Sequence, residues 1–170
     1  RMNSDLPKVL HQIGETPLLI HVLSATIESG VSHITVVVGH GKEQVQNSVE
    51  RWMQGIHKDI TVSFAVQDEQ KGTGHAVLCA ESLVRAGNPD YVLVLLGDVP
   101  LLQSETIVSA YQHLLDEQAH SLVISTELQE PTGYGRILRR DDGSVAAIVE
   151  QKDANDDQKK VKEINTGIFL

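Results

Sequence analysis

The chain has 170 residues, of which 41% are hydrophobic and 22% charged, a size and composition typical of one folded domain rather than of a disordered chain. Its 14 Lys and Arg residues against 23 Asp and Glu residues give a formal net charge of −9, which argues against general binding to nucleic acid or to an anionic membrane, but not against a small anionic ligand. No apolar run approaches the roughly 20 residues of a membrane helix, and the single cysteine, Cys79, excludes an internal disulfide and is typical of a reducing cytosol.

Helices and strands alternate along most of the chain. Thr16 and Pro17 predict a helix start, with Thr16 as the N-cap and Pro17 at the first helical position, and Gly30 predicts its end. The β-branched run 33–38 predicts a buried strand. Periodicity and turn residues then predict a helix at 42–53, a strand at 60–66, a helix to about residue 86, a continuous apolar strand at 91–96, a helix at 104–117 and a strand at 121–126.

The pattern changes after residue 126. Residues 134–139 and 145–149 flank the turn Asp141-Asp142-Gly143 and predict a β-hairpin. A short charged helix at 153–160 and a final strand at 164–170 follow. Strands alternating with helices predict an α/β fold with a mainly parallel sheet covered by helices on both faces, and the late hairpin predicts a subdomain added to that sheet.

Such folds bind ligands beyond the carboxyl ends of their strands, which directs attention to the loops 39–41, 67–74 and 97–98. Gln67 can donate and accept hydrogen bonds, which suits the edge of a base, and the glycines after it let the backbone approach a ligand. A plain turn before a helix is the alternative. Asp98 follows a buried strand, where a carboxylate is well placed to hold Mg²⁺; capping of the next turn is the alternative.

Four further features have both a functional and a structural interpretation. Lys8 is a lone lysine, and lone lysines are more often solvated surface residues. The segment 131–136 is a ligand loop or the entry to a hairpin. Glu150 ends a strand and Asn165 lies within one, where polar residues indicate a ligand contact or a bulge.

The histidines and the cysteine do not form a recognisable site. The eight histidines lack the short paired spacing of a metal-ligand set, although His40 and His75 lie near the predicted ligand loops. Cys79 falls inside a predicted helix, where packing is the simpler role.

A series of short motifs covers nearly the whole chain. In chain order these are RM-x-SDLPKVLH, GHG, Q-x-E-Q-x-GTGHA, GDVPLL, PTGYGRI, IVEQKDA and EINTGI. Each is weak alone, but the ordered series is specific, and through it the chain resembles the pyrophosphorylase domain of bacterial N-acetylglucosamine-1-phosphate uridyltransferases, bifunctional enzymes that make UDP-N-acetylglucosamine.

The resemblance implies a Rossmann-like nucleotidyltransferase fold and a reaction of UTP with N-acetylglucosamine 1-phosphate that uses Mg²⁺. It implies that Arg1 closes a phosphate loop, that Lys8 contacts the phosphates and that Asp98 holds the metal ion. It further implies that the nucleotide contacts Gln67, Gly72, Thr73, Leu96 and Gly97, and that the sugar contacts Gly135, Glu150 and Asn165.

The resemblance also implies parts that these residues do not include. The chain begins with Arg1-Met2 and stops at Leu170 inside a predicted strand, so we expect it to be a partial uridyltransferase domain, residues 1–170 of a longer bacterial, cytoplasmic polypeptide. The family's first strand and glycine-rich phosphate loop would precede it. A second metal ligand, an asparagine, and a trimer-forming acetyltransferase domain that uses acetyl-CoA would follow. We therefore expect the fragment alone to be inactive, or nearly so.

Three other readings are compatible with the residues alone. A nucleotidyltransferase for another sugar 1-phosphate or nucleotide would differ at the base-binding and sugar-binding positions. A non-catalytic sensor of sugar nucleotides would not need the carboxylate of Asp98. A purely structural domain would not need so many glycine and polar residues at strand ends.

Overall fold

The computed structural model describes residues 4–56 and 59–170. Arg1, for which the resemblance implies a role at the phosphates, lies outside the described residues. The chain groups into two compact units, one formed by residues 1–92 and 96–111 and the other by residues 93–95 and 112–170. Within the described part of the chain, no helix is both long and apolar enough to cross a membrane.

The first unit contains a parallel strand pair with helices packed on it. Its elements are a 3₁₀ turn at Lys8–Leu10, β1 (Gln12–Ile13), β2 (Thr16–Pro17), α1 (Leu18–Glu28), β3 (His33–Val38), α2 (Lys42–Met53), β4 (Thr61–Val66), α3 (Thr73–Ala86) and the beginning of α4 (Ser104–Asp116). β1 and β2 pair antiparallel, whereas β3 and β4 pair parallel along their full lengths. Helix α3 packs on both β3 and β4, and α2 contacts β3.

An aliphatic core holds this unit together. The repeat Leu19, Leu23 and Ile27 lies on the buried side of α1, as its spacing of four residues predicts. The core cluster contains Leu10, Leu19, Ile20, Leu23, Val36, Val38, Val45 and Val49. Burying a side chain of this kind contributes about 1.5–3 kcal/mol. Because Val38 pairs with Val66, this core sets the carboxyl ends of β3 and β4 side by side.

The start of α1 differs from the prediction. Thr16 is not the N-cap, because it pairs with Ile13 in the β1–β2 ladder, and that pairing holds it extended. Pro17 occupies the N-cap position without a side-chain cap hydrogen bond, and the helix begins at Leu18. The Leu18 N–H instead donates to the carbonyl of His11 at 2.9 Å, which ties the helix start to the preceding turn.

The second unit is an antiparallel sheet with one short helix. It contains β5 (Val123–Glu127), β6 (Arg136–Arg139), β7 (Val145–Val149), α5 (Asp156–Lys159) and β8 (Glu163–Phe169), with the strand order β5-β8-β6-β7. β6 and β7 form the predicted hairpin. Helix α5 is shorter than predicted because Asn155 and Gln158 form a reciprocal capping box that begins it.

Residues 91–96 do not form the continuous strand that their apolar run predicts. Within the described residues, their only ladder contact is an isolated bridge from Val94 to Phe169. Tyr91 and Val92 are exposed. An apolar run indicates where a strand is possible, but a strand exists only where a neighbouring backbone supplies hydrogen-bond partners.

The predicted α/β class, with a parallel sheet and a late antiparallel hairpin, is confirmed. The parallel part is limited to β3 and β4 in the described residues, and the other strand pairs are antiparallel.

Candidate functional site

Lys8 and Asp98 meet in the first unit although 90 residues separate them in sequence. The Lys8 ammonium donates to Oδ2 of Asp98, and the two side chains are 64% and 26% exposed. Lys8 is therefore not the isolated surface residue that its local sequence suggests. A solvent-accessible cation beside a carboxylate is suited to an anionic ligand and its counter-ion.

Gly97 allows the Asp98 segment to pass close to the Lys8 segment. A Cβ atom at Gly97 would lie 3.2 Å from both Val9 Cγ1 and Leu19 Cδ1, so a larger residue would require these side chains to move. Val9 follows Lys8 directly, and Leu96, which is half-buried, precedes Gly97. The glycine thus fixes the approach of the carboxylate to the lysine.

A second close approach involves Gly41, which lies in the loop 39–41 that the sequence indicates as a candidate ligand loop. Gly41 has φ +69°, and a Cβ atom there would lie 2.5 Å from Pro7 Cγ. Pro7 immediately precedes Lys8. The turn after β3 therefore supports the Lys8 segment, and the positive φ and the lack of space both require glycine.

Gln67 organises the loop between β4 and α3. Its Nε2 group donates to the carbonyl of Gly72 at 3.0 Å and lies 3.1 Å from Nδ1 of His75. Gly72 has φ +101° and Thr73 begins α3. Among the described residues, Oε1 of Gln67 has no hydrogen-bond partner, so it is available to accept from a ligand N–H group.

An open cleft of about 650 Å³ lies where the turn after β3 meets the loop after β4. Its lining residues are Gly39, His40, Gly41, Lys42, Val66, Gln67, Asp68 and Gln70. Gln67 and the turn 39–41 therefore line the same cleft. The turn includes His40, one of the two histidines that the sequence placed near the ligand loops.

In the second unit the structure brings Gly135, Glu150 and Asn165 together. A Cβ atom at Gly135 would lie 3.2 Å from Oε1 of Glu150, and the Asn165 N–H donates to the Gly135 carbonyl at 2.9 Å. Oδ1 of Asn165 accepts from the N–H of Gly167 at 2.9 Å, at an irregularity in the β5–β8 register. Asn165 thus lies at an irregularity of the sheet, as one of its two interpretations predicts, and its backbone contacts Gly135.

The donor set for a metal ion is small. Within residues 4–56 and 59–170 there is no group of three or more His, Cys, Asp or Glu side chains that can hold a metal ion. Asp98 has a partly exposed carboxylate, which fits Mg²⁺, because that ion commonly takes one or two protein carboxylates together with substrate phosphates and waters. Cys79 Sγ lies 3.9 Å from ring nitrogens of His75 and is partly buried, consistent with packing.

The clearest electrostatic perturbation lies on the sheet of the second unit. Arg139 donates two hydrogen bonds to the Glu163 carboxylate, at 2.6 and 2.8 Å, and Ser125 donates a third at 2.6 Å. The Arg139 contact, assisted by Ser125, lowers the pKa of Glu163 although partial burial opposes this. The same contact raises the pKa of Arg139. In the hairpin turn, hydrogen bonds from Ser144 lower the pKa of Asp142.

Sequence reasoning missed Arg136. It is the largest fully buried side chain, 1% exposed, yet it lies in a segment that attracted attention only for its glycines. A charged residue directly after a glycine loop and before an apolar strand was the available signal.

Comparison with known proteins shows which proteins the chain is similar to. Curated proteins named "Bifunctional protein GlmU" are similar to the chain: the one from Syntrophomonas wolfei is 44% identical over 169 residues, which is 99% of this chain and 35% of the relative. The one from Corynebacterium aurimucosum is 47% identical over 172 residues, 99% of this chain and 34% of the relative. The chain thus spans about a third of the length of these relatives, and the resemblance carried by the motifs is confirmed.

Solved structures support the fold. An apo UDP-glucose pyrophosphorylase matches 96% of this chain and 68% of its own with a TM-score of 0.73 at 21% sequence identity. A putative glucose-1-phosphate thymidylyltransferase from Bacillus anthracis matches 96% of this chain and 61% of its own with a TM-score of 0.74 at 21% identity. Residues 1–159 match the family described as the MobA-like NTP transferase domain. The predicted nucleotidyltransferase fold is therefore confirmed, and the chain belongs to the family of MobA-like NTP transferase domains.

Proposed function

We propose that this chain, as part of a longer polypeptide, transfers the uridylyl group of UTP to N-acetylglucosamine 1-phosphate and releases pyrophosphate. The contact of Lys8 with Asp98 is the observation that carries the proposal. It joins a cation and an oxygen ligand in a nucleotidyltransferase fold, and Pro7, next to Lys8, lies against Gly41 in the lining of the cleft. The ordered motifs supply the identity of the two substrates.

The reaction requires positioning and charge neutralisation more than covalent chemistry. A phosphate oxygen of the sugar phosphate attacks the α-phosphorus of UTP, and pyrophosphate leaves in line. Lys8 offsets negative charge on the phosphates, and Arg1 adds a second cation in this proposal. Asp98 would hold Mg²⁺, which when bound supplies further positive charge at the phosphates. In this proposal a chain with net charge −9 binds a triphosphate because a metal ion and two cations would act together at the phosphates.

Recognition of the two substrates is divided between two groups of residues. The nucleotide is proposed to bind Oε1 of Gln67, the backbone at Gly72 and Thr73, and the segment Leu96-Gly97. The group formed by Gly135, Glu150 and Asn165 is proposed to bind the sugar, because a carboxylate and an amide together can accept from and donate to several hydroxyls.

The proposal is tested in the natural full-length polypeptide with a panel of nucleoside triphosphates and sugar 1-phosphates, following pyrophosphate release. UTP with N-acetylglucosamine 1-phosphate is expected to give the highest kcat/KM. Preference for another sugar phosphate or nucleotide would instead indicate a nucleotidyltransferase for that other substrate. Binding of UDP-N-acetylglucosamine without turnover of any pair would favour a sensor.

Asp98→Asn provides the matched variant, since it keeps the size of the side chain but removes its charge. We expect it to lose most of the Mg²⁺-dependent turnover, with a smaller effect on thermal stability, because the side chain is partly exposed and its described contact is with Lys8. Near-normal turnover of Asp98→Asn would refute the metal-binding assignment.

Further activities concern the polypeptide beyond these residues. Because the relatives are named bifunctional and the chain covers about a third of them, we propose that the longer protein also acetylates glucosamine 1-phosphate with acetyl-CoA and assembles as a trimer. Its product would feed peptidoglycan and lipopolysaccharide precursor synthesis in the bacterial cytoplasm. An acetyl-CoA assay and measurement of the mass in solution test these two properties.

A further inference from the structure

Arg136 is a buried cation surrounded by neutral oxygen atoms. It begins β6, where its backbone pairs with Val149 on one side and Ile164 on the other. One Nη group donates to the carbonyl of Tyr134, and the other donates to Oε1 of Gln151 at 2.7 Å. In the described part of the chain, no carboxylate forms an ion pair with it.

This arrangement lowers the stability of the folded state, so stability alone does not explain it. Burying a charge without a counter-ion is unfavourable, and Nε of Arg136 is buried and has no hydrogen-bond partner among residues 4–56 and 59–170. An apolar residue of similar volume would fill the same space without that cost. The guanidinium is therefore better explained by what it holds in place: its planar, forked donors reach oxygen atoms of Tyr134 and Gln151 and, at 3.5 Å, the carbonyl of Lys159.

The segments that contain Tyr134 and Gln151 are those of the proposed sugar site. Gln151 Oε1 accepts from Arg136 and also from the Gly133 N–H at 3.2 Å, so the Arg136–Gln151 pair joins the 131–135 loop to the turn after β7. Arg136 directly follows Gly135, and Gln151 directly follows Glu150. Because the Glu150 carboxylate would be only 3.2 Å from a Cβ at Gly135, the relative position of the two segments decides where that carboxylate lies.

We propose that Arg136, acting through Gln151, is a positioning residue that sets Glu150 against Gly135 and thereby determines the affinity for the sugar 1-phosphate. This inference rests on the proposed function. Arg136 itself is buried and does not need to touch the substrate. Its effect is selective, because the nucleotide-binding residues Gln67 and Gly72 belong to the other unit and are held by their own hydrogen bond.

The experiment compares Arg136→Lys, Gln151→Leu and Gln151→Glu in the full-length polypeptide, with Arg139→Lys as the control on the same strand. Lysine keeps the charge but cannot span both acceptors, and leucine removes the acceptor. Glutamate keeps the acceptor oxygens, so Gln151→Glu should keep a KM for N-acetylglucosamine 1-phosphate near that of the wild type. We expect Arg136→Lys and Gln151→Leu to raise the KM for N-acetylglucosamine 1-phosphate by about tenfold or more, the scale of small misplacements in a binding site. The KM for UTP should change by less than about twofold in every variant.

Native-state hydrogen exchange gives a readout independent of turnover. The amides of Gly133 and Asn165 donate to Gln151 and Gly135, so both should exchange faster in Arg136→Lys and Gln151→Leu than in Arg139→Lys. If Arg136→Lys does not fold, Gln151→Leu decides the matter, because Gln151 is only half-buried.

The outcomes separate the inference from the proposed function. An active wild-type protein with a normal sugar KM in Arg136→Lys and Gln151→Leu would overturn the positioning role and leave the proposed function intact. An equal rise of both KM values with a lowered Tm would also overturn it, since that is the behaviour of a purely structural residue. A wild-type protein that uses no sugar 1-phosphate would overturn the proposed function itself.

Discussion

Substitution of Gly41 by alanine tests whether the turn after β3 supports the Lys8 segment. Two effects oppose alanine at this position. Its φ of +69° is unfavourable for a residue with a Cβ, at a cost of roughly 1–2 kcal/mol. In addition, the Cβ would lie 2.5 Å from Cγ of Pro7, and relief of that overlap requires movement of a rigid ring, with an overpacking cost of about 1–3 kcal/mol.

Gly14 offers a matched control on the same chain. It has φ +64°, close to that of Gly41, but a Cβ there would meet no atom within 4 Å. Gly14→Ala therefore measures the conformational cost alone, and Gly41→Ala measures that cost plus the contact with Pro7. We expect destabilisation of about 1–2 kcal/mol for Gly14→Ala and about 2–5 kcal/mol for Gly41→Ala.

Urea unfolding followed by circular dichroism, with the midpoint and the m-value fitted separately, gives both free energies. Pro7→Ala should recover part of the loss in the Gly41→Ala background and none in the Gly14→Ala background. In the active polypeptide, Gly41→Ala should also lower kcat, because Pro7 precedes Lys8. Equal destabilisation by the two glycine substitutions, or no recovery with Pro7→Ala, would refute the proposed support.

Three further predictions concern the candidate site and its surroundings. Lys8→Ala should slow turnover severely and Lys8→Arg should retain a fraction of it, because charge is kept while geometry changes; trapping of a lysine–nucleotide adduct would contradict this electrostatic role. Glu150→Ala and Asn165→Ala should each weaken use of the sugar phosphate by roughly 1–3 kcal/mol, the cost of leaving a polar partner unsatisfied, with little change in the KM for UTP; a rise confined to UTP would remove both residues from the sugar site. Arg139 lowers the pKa of Glu163, so the contribution of this pair to stability is present above the ordinary carboxyl pKa and is lost as the pH falls through the lowered value. The difference in unfolding free energy between wild type and Glu163→Gln, measured by urea unfolding from neutral to acidic pH, should therefore shrink toward acid. A constant difference would contradict the assignment.

Several elements could be predicted from the sequence because their causes are local. The β-branched run His33–Val38 and the following helix Lys42–Met53 have the predicted bounds, since side-chain pattern and a terminal glycine decide where such elements begin and end. The hairpin around Gly143 also forms as predicted. The ordered motifs likewise sufficed to identify the family.

Tertiary structure decided what depends on partners far away in the chain. The apolar run 91–96 has the composition of a strand, but only Val94 finds a ladder partner in the described residues, because backbone hydrogen bonds need a neighbouring strand. Lys8 is an exposed residue, as its local sequence predicts, but only folding brings Asp98 to it across 90 residues.

Arg136 shows the same limit for buried polar residues. Local pattern assigns charged residues to the surface, yet Arg136 is 1% exposed, because acceptor oxygens of Tyr134, Gln151 and Lys159 converge on its guanidinium. Composition, periodicity and motifs thus determined the elements of this protein and the chemistry available to it. Which side chains meet, and which of them are buried, followed only from long-range packing, because a contact between distant residues has no signature in the local sequence of either one.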